Sequence, residues 1–249
     1  MGLQAPTLDT RERSVEVRGV NIQAILFELG GVLADRDGAT PLVELSHRRF
    51  SAEQARRFWL QSPWVRRLET GQCQVIDFVR GMLDELKLDA SLTPEGFLEA
   101  FRSWDKGPFP GAERILEQLR PRYTLACLSN NNALHWSNPP LQSLLNHFQH
   151  CLVSFETGLM KPDRAAFDHA VRVIGLLPED ILFPDDNIEC VQAARASGLS
   201  ACQALGLAGV RQALALQVSG LRTYETAQNC QIMSATVRFA GMKGSTCSV

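Results

Sequence analysis

The stretch Ala24-Ile25-Leu26-Phe27-Glu28-Leu29-Gly30-Gly31-Val32-Leu33 decides the fold. Four apolar residues in a row, closed by an acid and a glycine pair, read as a strand buried on both faces that ends in a turn. The same grammar recurs further on. Tyr123 to Leu128 is a second strand, stopped by Ser129-Asn130-Asn131-Asn132, and Leu152 to Phe155 is a third, weaker one. Ile181-Leu182-Phe183 is a fourth, running into Asp185-Asp186-Asn187, and Ser200 to Ala204 is a short fifth. Helical segments alternate with them: Ala112–Leu119 after the break at Pro108-Phe109-Pro110-Gly111, Arg164–Ile174 with Phe167, Val171 and Ile174 on one face, and Cys190–Ala196 closed by Gly198. Apolar strands alternating with helices predict an α/β fold, a doubly wound parallel sheet covered on both faces.

One long segment interrupts the alternation. From Pro41 to Lys106 the spacing is helical and strand signals are few. Phe50, Phe58, Trp59, Trp64, Val65 and Leu68 line helix faces there, as do Phe78, Val79, Met82, Leu83 and Leu86, and core packing is the first reading of all of them. The expected division is an α/β core at 22–40 and 107–220, a helical insert at 41–106, a flexible polar arm at 1–21 and a poorly defined tail at 221–249. No internal repeat is visible.

Bulk properties narrow the partners. The chain has 249 residues, 45% of them apolar and 21% charged, so a core can form without staples. A net charge of -2 gives no reason to expect a nucleic-acid partner. Arg11–Arg13 and His47–Arg49 read as solvated charge runs. Seven cysteines contain no Cys-x-x-Cys pair, which argues against a thiolate zinc site, and Cys127 and Cys151 read as small core residues. The odd count favours a reducing, cytoplasmic location. The first twenty residues carry no apolar run of the secretory type, and no stretch approaches a membrane span. Cys247 is third from the end rather than fourth, so it misses the prenylation pattern.

Ligands of open parallel sheets bind outside the carboxyl ends of the strands. Standing there are Glu28, then Ser129 and Asn130, then Asp185 and Asp186. Lys161, in Gly158-Leu159-Met160-Lys161-Pro162, is expected to open the helix before the fourth strand. Adjacent carboxylates suit Mg²⁺, a hydroxyl with backbone N–H groups suits phosphate oxygens, and a lysine balances the charge of a transferring phosphoryl group. Asp185 is the expected direct ligand and Asp186 its support. Each feature alone is a cap or a solvated charge; four in this order are hard to explain as capping. Asp35 and Asp37 read as loop acids.

These segments together resemble the haloacid dehalogenase superfamily. Ile25 to Leu33 is similar to its first motif, Leu128-Ser129-Asn130 to the second and Gly158 to Pro162 to the third. Phe183-Pro184-Asp185-Asp186-Asn187 to Val191, followed by Ala193-Ala194-Arg195, is similar to the fourth. The layout is similar to sugar-phosphate phosphatases and to the N-terminal domain of soluble epoxide hydrolase, over about residues 22 to 215. The resemblance implies a helical cap inserted after the first strand, catalytic Glu28 and Lys161, substrate contacts from Ser129, Asn130 and Lys161, and Mg²⁺ at Glu28, Gly30, Asp185 and Asp186. There are two departures. Glu28 stands where the family has a nucleophilic Asp, and Gly30 where it usually has an acid–base Asp, the latter shared by one branch. The extra methylene displaces the carboxylate by roughly 1 Å, which can cost about 10²-fold in rate.

Three readings of function follow. One is a Mg²⁺-dependent phosphatase of a small organic phosphate or diphosphate, with a terpenoid diphosphate compatible with the aromatic insert. Another is a degenerate relative that binds a phosphate ligand or a protein partner without turnover. The third is carbon–halogen hydrolysis, against which the Asp185-Asp186 pair argues.

Overall fold

The computed structural model describes residues 21–36, 39–87 and 92–217. Residues 1–20 of the expected arm, the tail after 217, Asp37, Cys230 and Cys247 lie outside the described residues. The chain runs through β1 (Ala24–Phe27), β2 (Ala34–Arg36), α1 (Ala39–Leu45), α2 (Ala52–Gln61), α3 (Pro63–Glu69), α4 (Val75–Leu86) and α5 (Pro94–Arg102). It continues through β3 (Asp105–Pro108), α6 (Ala112–Leu119), β4 (Thr124–Ser129), α7 (Ala133–Trp136), α8 (Pro139–Leu145) and β5 (His150–Val153). It then forms α9 (Ser154–Thr157), α10 (Arg164–Ile174), β6 (Ile181–Asp185), α11 (Ile188–Ala196), β7 (Ser200–Gln203) and α12 (Gly206–Gln217).

The main sheet has five parallel strands in the order β5-β4-β1-β6-β7, with β1 at its centre. Side-chain alternation divides β1 between two cores. Ile25 and Phe27 pack with Leu116 of α6, Leu144 of α8 and Leu214 of α12. Ala24 and Leu26 pack with Phe167 of α10 and Val191 of α11. Helices therefore cover both faces, as the unbroken apolar strands predict. No helix among the described residues is long and apolar enough to cross a membrane.

The helical insert has its own core. Phe78, Met82, Phe97 and Phe101 are fully buried there, and burying each contributes about 1.5–3 kcal/mol. Its helices start where the sequence supplies caps. Ser51 and Gln54 form a reciprocal capping box on α2, Ser62 with Pro63 starts α3, and Thr93 with Pro94 starts α5. Phe50 and Phe58 stack at 5.8 Å, and Trp59 and Trp64 pack partly buried against the same core. His47, Arg48 and Arg49 are exposed, but Arg49 also donates to the last carbonyls of α4, Leu86 and Lys87.

Four expectations are corrected. The third strand lies two residues earlier, at His150–Val153, because the Ser154 hydroxyl is committed to the Asn131 backbone and the chain turns into α9. Cys127 is buried, but Cys151 is exposed, since β5 is an edge strand with a neighbour on one side only. Asp35 is not a loop acid: β2 and β3 form an antiparallel ribbon joining the insert to the sheet, and Asp35 reaches Lys106 across it at 3.8 Å. Three- and four-residue strands of mostly polar residues carry no two-residue apolar period to reveal them. Lys161 does not open a helix but sits in the turn before α10, whose N-cap is Asp163.

Candidate active site

The carboxyl ends of β1, β4 and β6 bring the expected residues together. The glycine pair after β1 lets the chain fold back, with Gly31 at φ +73, and the Leu29 and Gly30 amides donate to Glu28 Oε1 at 2.6 and 3.1 Å. The Ser129 hydroxyl donates to the same oxygen at 2.8 Å. Oε1 is saturated; among the described residues Oε2 accepts only from the Lys161 ammonium. Lys161 Nζ also donates to Asp185 Oδ2 at 2.6 Å, and Asp185 Oδ1 accepts the Asn187 amide at 2.7 Å. Asn130 fixes the lysine by its backbone: its side chain donates to Lys161 O at 2.8 Å and accepts from Lys161 N at 2.9 Å. Ser129 thus holds Glu28, and Asn130 holds Lys161.

A pocket of about 240 Å³ opens over this network. Glu28, Gly30, Asn130, Lys161, Asp185 and Asp186 form its floor, and the insert supplies Arg56, Trp59, Leu60, Val65 and Glu69. Arg36, Trp104, His135, Met160, Asn187 and Cys190 complete the wall. Sequence reasoning missed Arg36, Arg56, Glu69, Trp104 and His135. One of them had a signal: Glu69 follows Val65 by four and Leu68 by one, an acid set on an apolar helix face.

Charge in the pocket is unevenly balanced. Burial alone would lower the Lys161 ammonium, but the Asp185 and Glu28 carboxylates outweigh it and hold the group above its ordinary value. Burial, then Glu28 and Asp185, raise Asp186 to about 6. Burial raises Glu69 to about 7 against the pull of Arg36, whose guanidinium stands 3.6 Å away. Burial and then Arg36 push His135 down to about 3, so the ring is neutral. Its Nε2 lies 2.7 Å from the Phe101 carbonyl, which assigns the proton there and leaves Nδ1 to accept from Asn132 at 3.2 Å.

The acids fit a hard divalent cation by type and charge. Glu28, Asp185 and Asp186 share one wall, and Asp186 is destabilised by the other two. The Asp186 carboxylate accepts no hydrogen bond among the described residues, whereas both Asp185 oxygens are engaged, so the acid expected as support is the more available one. Gly31 leaves room for it, since an added Cβ would stand 2.8 Å from Asp186 Oδ2. Among the described residues no three such side chains already form a metal cage, because Lys161 occupies Glu28 Oε2 and Asp185 Oδ2.

Comparison with known proteins identifies the family and the fold. The model of the haloacid dehalogenase-like hydrolases matches residues 22–198. Phosphatase MT3486 of Mycobacterium tuberculosis is 26% identical over 193 residues, 73% of this chain and 87% of that protein. The HAD family enzyme bt-2542 of Bacteroides thetaiotaomicron, in complex with magnesium and inorganic phosphate, superposes with a TM-score of 0.59 at 21% identity, covering 74% of this chain and 94% of that one. A HAD-like family hydrolase from Porphyromonas gingivalis superposes with a TM-score of 0.56 at 25% identity, covering 73% and 90%.

Proposed function

The chain belongs to the haloacid dehalogenase-like hydrolase family, and on that premise we propose that it is a Mg²⁺-dependent phosphatase of a small organic phosphate. The observation that carries the reading is the buried Lys161 ammonium, shared by Glu28 at the end of β1 and Asp185 at the end of β6. The same network suits a phosphoryl group, whose negative charge needs a fixed cation beside a carboxylate nucleophile.

In this reading Glu28 Oε2 attacks phosphorus, because Oε1 is immobilised by Leu29, Gly30 and Ser129. Lys161 balances the charge of the transferring group, and Asn130 keeps the lysine aimed. Glu28, Asp185, Asp186 and the Gly30 backbone would hold Mg²⁺, which when bound supplies charge neutralisation at the phosphoryl oxygens. The helical insert acts as a cap, walling the pocket with Trp59, Leu60 and Val65 and excluding water. A pocket of about 240 Å³ favours a small leaving group over a long prenyl chain, although the apolar wall keeps terpenoid diphosphates in the test panel.

A second reading is favoured by the same hydrogen bonds. Glu28 accepts four donors, a resting arrangement equally suited to a protein that binds phosphate without turnover. The test is phosphate release from sugar, nucleotide, lipid and isoprenoid phosphates, with and without Mg²⁺, by wild type, Glu28→Asp and Asp185→Asn. The phosphatase reading expects Mg²⁺-dependent release by wild type and its loss in Asp185→Asn. No release by wild type from any substrate would overturn it, and activity gained only in Glu28→Asp would establish the binder.

A further inference from the structure

Gly30 has no side chain, and Arg36 packs alongside it. A Cβ at residue 30 would meet Arg36 Cδ at 3.4 Å and Arg36 Cβ at 3.5 Å in ordinary contact, so the stem of Arg36 lines the pocket beside Gly30. The guanidinium is fixed by the Asn130 carbonyl at 3.1 Å and His135 Nδ1 at 3.4 Å. From that anchorage it faces Glu69 Oε1 at 3.6 Å. Glu69 is the last residue of α3, is 3% exposed, and makes no hydrogen bond through its carboxyl among the described residues. The chain just beyond is pinned, because Gly71, at φ +71, lies against the Phe155 carbonyl with no room for a side chain.

Expelling an alkoxide from phosphorus needs a proton donor, and the pocket offers few. The Lys161 ammonium is engaged by Glu28 and Asp185. The His135 N–H is given to the Phe101 carbonyl. Burial drives the Cys190 thiol up to about 12. Asp186 belongs to the carboxylate set assigned to the cation. What remains is a buried carboxyl, held on the pocket wall by an arginine that can stabilise its anion.

We propose that Glu69, delivered by the helical insert and held by Arg36, is the general acid and base of the phosphatase reaction. The proposal rests on the phosphatase reading above. As the Glu28–phosphorus bond forms, the bond from phosphorus to the leaving oxygen breaks and its electron pair stays on that oxygen. The Glu69 proton passes to it, releasing the alcohol and leaving a Glu69 carboxylate beside Arg36. Water then attacks phosphorus, the bond to Glu28 breaks with its pair returning to the carboxylate, and the water proton restores Glu69. The groups acting on Glu69 are Arg36 from β2, Glu28 from β1 and Lys161 from the turn before α10, and with burial they leave its pKa at about 7, near a working pH.

The test compares kcat/KM of the Mg²⁺-loaded full chain on p-nitrophenyl phosphate, whose leaving group needs no proton, and on an alkyl phosphate, whose leaving group does. Glu69→Gln should lose about 10²-fold or more on the alkyl ester and less than about threefold on the aryl ester. In wild type the alkyl-ester kcat/KM should fall above about pH 7. Equal losses on both esters, no loss on the alkyl ester, or a wild-type profile flat through pH 7 would each overturn the proposal while leaving the phosphatase reading intact. A wild type inactive on both esters and on the wider panel would remove the phosphatase reading and the acid with it.

Discussion

Replacing Glu69 by glutamine should change how the stability of the fold depends on pH. Burial holds the Glu69 carboxyl at about 7 in the folded chain, against an ordinary value of 4.5. Between those values the folded protein keeps a proton that the unfolded chain has released. Stability contributed by the protonated carboxyl is therefore present below pH 4.5, drains away as pH rises to about 7, and is flat beyond. At about 1.4 kcal/mol per pH unit, the wild type should lose roughly 3 kcal/mol relative to Glu69→Gln across that window. Glutamine keeps the shape and cannot ionise, and the Arg36 attraction for the ionised carboxylate is already contained in the folded value of about 7. Asp186 titrates in the same range but is common to both proteins and cancels in the difference. Urea unfolding of both proteins at half-unit steps from pH 4.5 to 8 measures the effect. A difference that stays level, or that grows in favour of wild type as pH rises, would refute the dominance of burial over Arg36 at this carboxyl.

Other outcomes can be checked more briefly. Lys161→Met leaves Glu28 and Asp185 buried without their cation and should cost about 3–5 kcal/mol in denaturant unfolding, with phosphate binding lost by calorimetry. Gly81→Ala should destabilise by about 1–3 kcal/mol although alanine is the better helix former, because its methyl would collide with the Trp64 ring on α3. Gly31→Ala strains a backbone at φ +73 and crowds Asp186, and should cost about 1–2 kcal/mol of stability together with a weakened Mg²⁺ response in calorimetry.

The sheet was legible because its central strands are buried on both faces. Ala24–Phe27 and Ile181–Asp185 each announce themselves as an apolar run that ends at a chemically distinct residue. The floor of the pocket was legible for the same reason: an acid, a serine or an aspartate pair following such a run has to stand at the sheet edge. The walls were not. Arg36 lies on a three-residue strand among charges, and its place in the pocket is set by Asn130, His135 and Glu69, partners from distant parts of the chain that no local pattern encodes. Trp59 reads as core and is core, yet it also faces the pocket, and sequence spacing does not separate two uses of one ring. Asp185 and Asp186 were found as a pair, but which one keeps free lone pairs is decided by Lys161, 24 residues earlier.

The ring-filled interior of α2–α5 is separate from the two cores that flank the sheet. Under a third of the residues lining the pocket therefore come from helices packed around a core of their own. Substitutions among Phe78, Phe97 and Phe101 can retune ligand preference while β1, β4 and β6 keep their alignment. Such a layout lets selection redraft what the pocket admits, so long as Glu69 on α3 keeps its place beside Arg36.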